Sequence, residues 1–409
     1  MASYIKQVNE SIFYKFCSIV LMFFTTRYLL KILSLSNYGE WALIFSLLSA
    51  ASMFNFGLAS IIHNVVAEKK NNWEEDFSTL TTYNFFISIL SGLVVLFVYY
   101  FFFDSWLEGG IFSLIFSMLI INSAQIKYFV GTGRAQINEL YNFVVPLGFF
   151  LQLYFASFFE VKVNVTFLLS TYFVSQLTCV LISFFYIKRE ISLCFRTSIE
   201  EKLKLSILRI GLLFFLVQVS SYLLYSTGRV VTNAILDSES VAKFDLIAKL
   251  GMPILILGAI AYRPLWTCFS KTDNYEEVRK HLVSAERFIL FFFTVSIVCG
   301  LASPFVIESF FGVSNISLLT TLLYSFSMFI QVSSQPYCYY LNSRSMLKGQ
   351  LLFVLLGVSI LVTSSWILTN LYGLNGIMIS IILAYLPFLL FSFYTVKKDI
   401  RNGLLAVDK

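Results

Sequence analysis

Charge is the scarcest property of this chain. Only 13% of its 409 residues are Asp, Glu, Lys or Arg, against about 25% in an ordinary soluble domain. The two histidines, His63 and His281, stand alone in the sequence, which excludes a histidine-built metal centre or catalytic dyad. The six cysteines form no CxxC pair and no regular framework, so zinc ribbons and disulfide scaffolds are excluded as well. Most of them fall inside apolar runs, where a free thiol acts as a small hydrophobe. Walker A, GxGxxG and GxSxG sequences are absent, which argues against an ATP-driven pump within this chain. The first apolar run carries Lys15, Arg27 and Lys31, with no small-residue cleavage site after it. It reads as a retained first span, not a cleavable leader.

What is present in excess is apolar surface. Hydrophobic residues make up 58% of the chain, 45 of them Phe, and mean hydropathy is +0.80. No soluble core requires so much Phe, so the solvent for these side chains is lipid. A crossing needs about 20 apolar residues at 1.5 Å rise. The runs that qualify are 12–33, 41–62, 79–103, 111–131, 140–159, 166–187, 208–235, 244–267, 286–307, 316–341, 351–370 and 375–396. They predict an all-α integral membrane protein with about twelve transmembrane helices.

Orientation follows from Lys and Arg in the short connections. The N-terminus, the connections 63–78, 132–139, 188–207, 268–285 and 342–350, and the C-terminal tail hold eighteen Lys and Arg. The opposite set holds Lys162 and Lys243, with Lys31 on a boundary. Both termini are therefore expected in the cytoplasm. The net charge of +6 is a topology signal and does not predict nucleic-acid binding. Within 188–207, Lys188, Arg189, Arg196, Lys202 and Lys204 alternate with Ile and Leu residues, as in a helix lying on anionic lipid. The expected organisation is an N-terminal six-helix lobe over 1–190, an amphipathic cytoplasmic linker over 191–207, a C-terminal six-helix lobe over 208–396 and a tail over 397–409.

The halves look related. Arg27 and Arg229 each sit near the outer end of a half's first span, about 202 residues apart. Each is followed by a polar turn and then by a small residue and an aromatic: Tyr38-Gly39-Glu40-Trp41 in one half, Val241-Ala242-Lys243-Phe244 in the other. An even number of spans per half makes the copies parallel, related by an axis along the membrane normal.

The stretch Tyr38-Gly39-Glu40-Trp41-Ala42-Leu43, followed by Phe56-Gly57-Leu58-Ala59, resembles the first two helices of Wzx-type polysaccharide flippases. These belong to the multidrug/oligosaccharidyl-lipid/polysaccharide exporter superfamily. Arg263-Pro264-Leu265-Trp266 is similar to the family's Pro-Leu-Trp segment, which leads into a basic cytoplasmic loop. Many members place Asp directly before the arginine of span seven, where this chain has Gly228. The resemblance implies two parallel six-helix lobes around a central cavity that opens alternately to each side, in the bacterial cytoplasmic (inner) membrane. It also implies a cargo, an undecaprenyl-pyrophosphate-linked oligosaccharide such as an O-antigen repeat unit.

Charges inside the spans are the candidate functional residues, since each costs on the order of 2.5–3.5 kcal/mol at a helix centre and faces a cavity or a partner. The substrate-binding candidates are Arg27, Arg229, Lys249, Arg263 and Lys15. Asp245 is the candidate for coupling or ion pairing. Arginine's planar fork suits phosphate oxygens. Asp245 and Lys249 are four residues apart, acid first, and so share a helix face. Arg209 and Arg287 read as snorkelling toward headgroups. Three functions compete. Flipping of an anionic lipid-linked sugar fits the cationic excess in the spans. A cation-coupled drug exporter would need buried carboxylates, of which the sequence offers only Asp245. A glycan polymerase or ligase would need a large outward loop, and every outward loop here is short. The expectation is therefore a transporter and not an enzyme. It uses no cofactor or metal. Its partners are the lipid-linked cargo, membrane lipids and, in the cell, polysaccharide polymerase or ligase machinery.

Overall fold

The computed structural model describes residues 2–68, 73–103, 105–132, 134–194, 205–272, 274–344 and 346–407. Apolar runs of this length can satisfy their backbone in lipid only as helices, and the described residues are accordingly helical almost throughout. In chain order the helices are α1 (Ala2–Ile32), α2 (Leu35–Ser49), α3 (Leu58–Glu68), α4 (Trp73–Phe103), α5 (Trp106–Gly131), α6 (Ala135–Phe158) and α7 (Val165–Cys194). There follow α8 (Leu205–Ile235), α9 (Ser238–Lys271), α10 (Tyr275–Val306), α11 (Leu318–Ser343), α12 (Leu347–Tyr372) and α13 (Leu374–Val407). Counting α2 and α3 as one interrupted crossing gives twelve spans, as the apolar runs predict. Most of the amphipathic stretch 191–207 lies outside the described residues.

Nine of these helices are long and apolar enough to cross a membrane on their own. The other three crossings are α2–α3, α9 and α11. The first is broken, α9 carries Lys243, Asp245, Lys249 and Arg263, and α11 is rich in Ser, Thr and Gln.

The sequence reads 41–62 as one span, but the helix is interrupted over 50–57. A 3-10 turn over Ala50–Met53 leads to Phe56 at φ +50° and Gly57 at φ +77°. Irregular backbone at membrane depth persists only where protein covers it. Here Asn55, 2% exposed, accepts the Gly57 N–H at 2.9 Å and donates to the Ser123 hydroxyl at 2.9 Å. Gly57 also approaches Gly211 so closely that a Cβ on it would stand 2.1 Å from the Gly211 carbonyl oxygen.

The chain divides into two compact units. One comprises Met1–Leu33 with Ile44–Gln218, the other Ser34–Leu43 with Val219–Lys409. The short stretch Ser34–Leu43, which opens α2, thus belongs with the second unit. The first unit's core gathers Leu58, Ile62, Phe77, Phe129, Tyr141 and Cys179. One core of the second unit gathers Phe269, Val278, Leu282, Tyr337, Tyr340 and Val396. There, Lys397 meets Glu286 at 2.7 Å, and the Tyr337 hydroxyl donates to the same carboxylate at 2.8 Å.

A buried charge cluster in the second unit

The second unit holds the most deeply buried charge cluster among the described residues. Helix α9 starts on Asp237, whose side chain accepts the Ser240 N–H at 2.6 Å and so satisfies one orphan donor of the first turn. Two turns further, Asp245 is 4% exposed. A carboxylate at this depth survives only if its oxygens are filled by donors, and both are. Oδ1 accepts from Arg229 of α8, from Nη2 at 2.9 Å and from Nε at 3.2 Å. Oδ2 lies 3.0 Å from the Lys249 ammonium, one turn along α9. It also accepts from the Tyr38 hydroxyl at 2.7 Å. Tyr38 comes from the start of α2. Its oxygen in turn accepts from Lys249 Nζ at 2.6 Å.

Aromatic faces complete the surroundings. The Arg229 guanidinium lies 4.9 Å from the Tyr225 ring centre and 5.6 Å from that of Phe244, and Nη2 also donates to the Tyr225 hydroxyl at 3.3 Å. Lys249 lies 5.1 Å from the Tyr38 ring centre. Such cation–π contacts strengthen with desolvation. In the contacts described, two cations face the one Asp245 carboxylate. Arg229 Nη1 is buried without a hydrogen-bond partner.

Two glycines make room for the cluster. A Cβ on Gly39 would stand 1.8 Å from the Ser238 carbonyl oxygen, so the start of α2 rests directly on the α9 backbone. A Cβ on Gly228 would stand 2.8 Å from Phe244 Cζ. Position 228, where the flippase pattern often has Asp, is given over to packing the Phe244 ring. The carboxylate for Arg229 arrives instead from Asp245 on the next helix.

Of the six candidates from the sequence, the structure therefore joins Arg229, Asp245 and Lys249. Lys15 lies in the first unit, 3.5 Å from Glu139. Glu139 also accepts from Asn138 at 3.2 Å and from Asn142 at 3.1 Å. Arg27 is an exposed residue of α1. Arg263 belongs to α9, and its side chain lies outside the described residues. Sequence reasoning missed Tyr38, Tyr225 and Glu139. Tyr38 and Tyr225 look apolar in a hydropathy scan, and Glu139 reads as the end of a cytoplasmic connection, yet it is only 8% exposed.

No family profile matches the chain, and no curated protein matches it. Solved structures do. One described as the inward-facing conformation of a multidrug resistance MATE family transporter of the MOP superfamily aligns with TM-score 0.74 and 14% identity. The alignment covers 97% of this chain and 98% of that one. A mutant of the Vibrio cholerae MATE transporter VcmN aligns with TM-score 0.70, 12% identity and 98% of both chains. An outward-facing multidrug resistance MATE transporter aligns with TM-score 0.68 and 15% identity over 97% and 96% of the chains. The chain thus has the fold of these transporters over its whole length.

Proposed function

We propose that this chain is a membrane transporter built on the multidrug-exporter fold, moving its cargo across the bacterial cytoplasmic membrane by alternating access. The observation that carries this reading is the whole-chain likeness to MATE transporters, at 97% and 98% coverage. Both termini are assigned to the cytoplasm by the Lys/Arg asymmetry. A cysteine introduced at Ser198 is expected to resist labelling from outside intact cells, and outside labelling would overturn that orientation.

For the cargo, the comparisons favour export of an organic solute over flipping of a lipid-linked sugar, because the neighbours include multidrug transporters by description. Glu139 also weakens the sequence argument against an exporter, which counted Asp245 as the one buried carboxylate. Both carboxylates already hold a lysine, however. An organic cation would have to displace Lys249 or Lys15.

One observation favours the second reading, flipping of an undecaprenyl-pyrophosphate-linked oligosaccharide. Arg229 Nη1, buried without a hydrogen-bond partner, offers a guanidinium donor that suits phosphate oxygens. Depletion of the protein separates the two. Lipid-linked sugars accumulating on the inner leaflet would establish flipping. Unchanged lipid-linked sugars together with raised sensitivity to, and retention of, organic dyes or drugs would establish export. If depletion altered neither, both cargo readings would fall.

A further inference from the structure

We propose that Tyr38 is a positioning residue through which Lys249 controls how firmly the start of α2 is held to the second unit. Tyr38 is fully buried, whereas Glu40 beside it is exposed. It is thus the side chain by which this stretch of α2 engages the charge cluster. Its oxygen does two things at once, donating to Asp245 and accepting from Lys249. A cation on a phenol oxygen draws electron density away and makes the O–H a better donor, so the two bonds reinforce each other. Lys249 is the most accessible of the three charged groups, at 20% of its side chain against 5% for Arg229 and 5% for Asp245. An arriving anionic group meets it first. Drawing the ammonium toward that group removes one Tyr38 bond and weakens the other. The helix does not end there. α2 runs on to Ser49, and its residues from Ile44 onward belong to the first unit. Loosening Tyr38 therefore frees the second-unit end of a helix whose other end is anchored in the first.

This deepens the transporter reading, but its test needs no transport. Deuterium uptake by residues 34–43 is measured on the purified full chain, with α10–α12 as internal reference. Tyr38→Phe keeps the ring and loses both hydrogen bonds, and should speed exchange in 34–43 about tenfold, roughly the weight of one charge-assisted hydrogen bond. Lys249→Met, which leaves the Tyr38–Asp245 bond weakened but in place, should speed exchange in the same segment by less. The double variant should add nothing, because both changes act on one linked pair of bonds. Unchanged exchange in Tyr38→Phe, additive effects in the double variant, or faster exchange spread evenly over the second unit would each overturn the proposal. If Tyr38→Phe does not accumulate, Lys249→Met decides alone: faster exchange at 34–43 supports the proposal and unchanged exchange refutes it. Loss of both cargo readings would leave this result standing, and a flat result beside confirmed transport would sink only the role of Tyr38.

Discussion

In the first half of the sequence the second crossing is broken into α2, a 3-10 turn and α3, whereas its counterpart in the second half, α9, is one unbroken helix of 34 residues. Both place polarity inside the membrane, by different means. The broken crossing interrupts backbone hydrogen bonding and covers the gap with Asn55 and the Gly57–Gly211 approach. The unbroken one stays helical through Pro253 and Pro264 and spends polarity on side chains, with Asp245 binding Arg229 and Lys249. The paired arginines follow the same division. Arg27 is exposed on α1, and Arg229 is buried against a carboxylate. The two arginines thus sit in different surroundings, one exposed on α1 and one buried beside Asp245.

The largest expected effect tests whether the ionic core is confined to the second half. Asp245→Ala strands two cations at once and should cost about 3–5 kcal/mol, the usual loss on breaking a buried pair. Glu139→Ala in the first half should cost less, since Lys15 is 30% exposed and can reach water. Thermal unfolding of both purified variants checks the order, and equal losses would erase the contrast.

Next is the break itself. Gly57→Ala must hold a Cβ at φ +77° and against the Gly211 carbonyl, so it should cost at least about 2 kcal/mol. Gly258→Ala in α9 meets Val332 methyl groups, the nearer at 2.8 Å, which can shift, and should cost about half as much. Lys249→Ala should be milder than Asp245→Ala, at about 1–2 kcal/mol, because Arg229 and Tyr38 still fill Asp245. Adding Asp245→Ala should give no recovery, because Arg229 remains stranded. A double variant restored to wild-type membrane level would mean that the lysine–aspartate pair is self-contained. The smallest effect is expected at Arg27→Ala, an exposed position, against several-fold more for the buried Arg229→Ala. Fluorescence-detected gel filtration after heating would rank the two.

The crossings were legible because twenty-residue hydropathy is a strong local signal, and Asp245–Lys249 because i, i+4 spacing fixes a helix face. The break was not legible. Phe54-Asn55-Phe56-Gly57 is mostly apolar, and only an Asn two residues ahead of a Gly hints at a side-chain-capped turn. The Arg229–Asp245 pair was not legible either, since it joins neighbouring helices whose rotation no single-helix period determines. Tyr38 was visible as part of a motif, but its role depends on a phenolic hydrogen bond across 207 residues of sequence.

The ion pair between consecutive helices has a consequence for biosynthesis. Helix α9 carries Lys243, Asp245, Lys249 and Arg263 and would partition poorly from the translocon by itself, at about 2.5–3.5 kcal/mol for each charge near the centre. One partner of its carboxylate, Arg229, sits on α8, the helix synthesised just before it. The two helices can thus leave the translocon as a hairpin with Arg229 already neutralised, before α10 to α13 have inserted. In an insertion assay on nascent chains ending after Lys271, Asp245→Ala is expected to leave more α9 outside the bilayer than Lys249→Ala does.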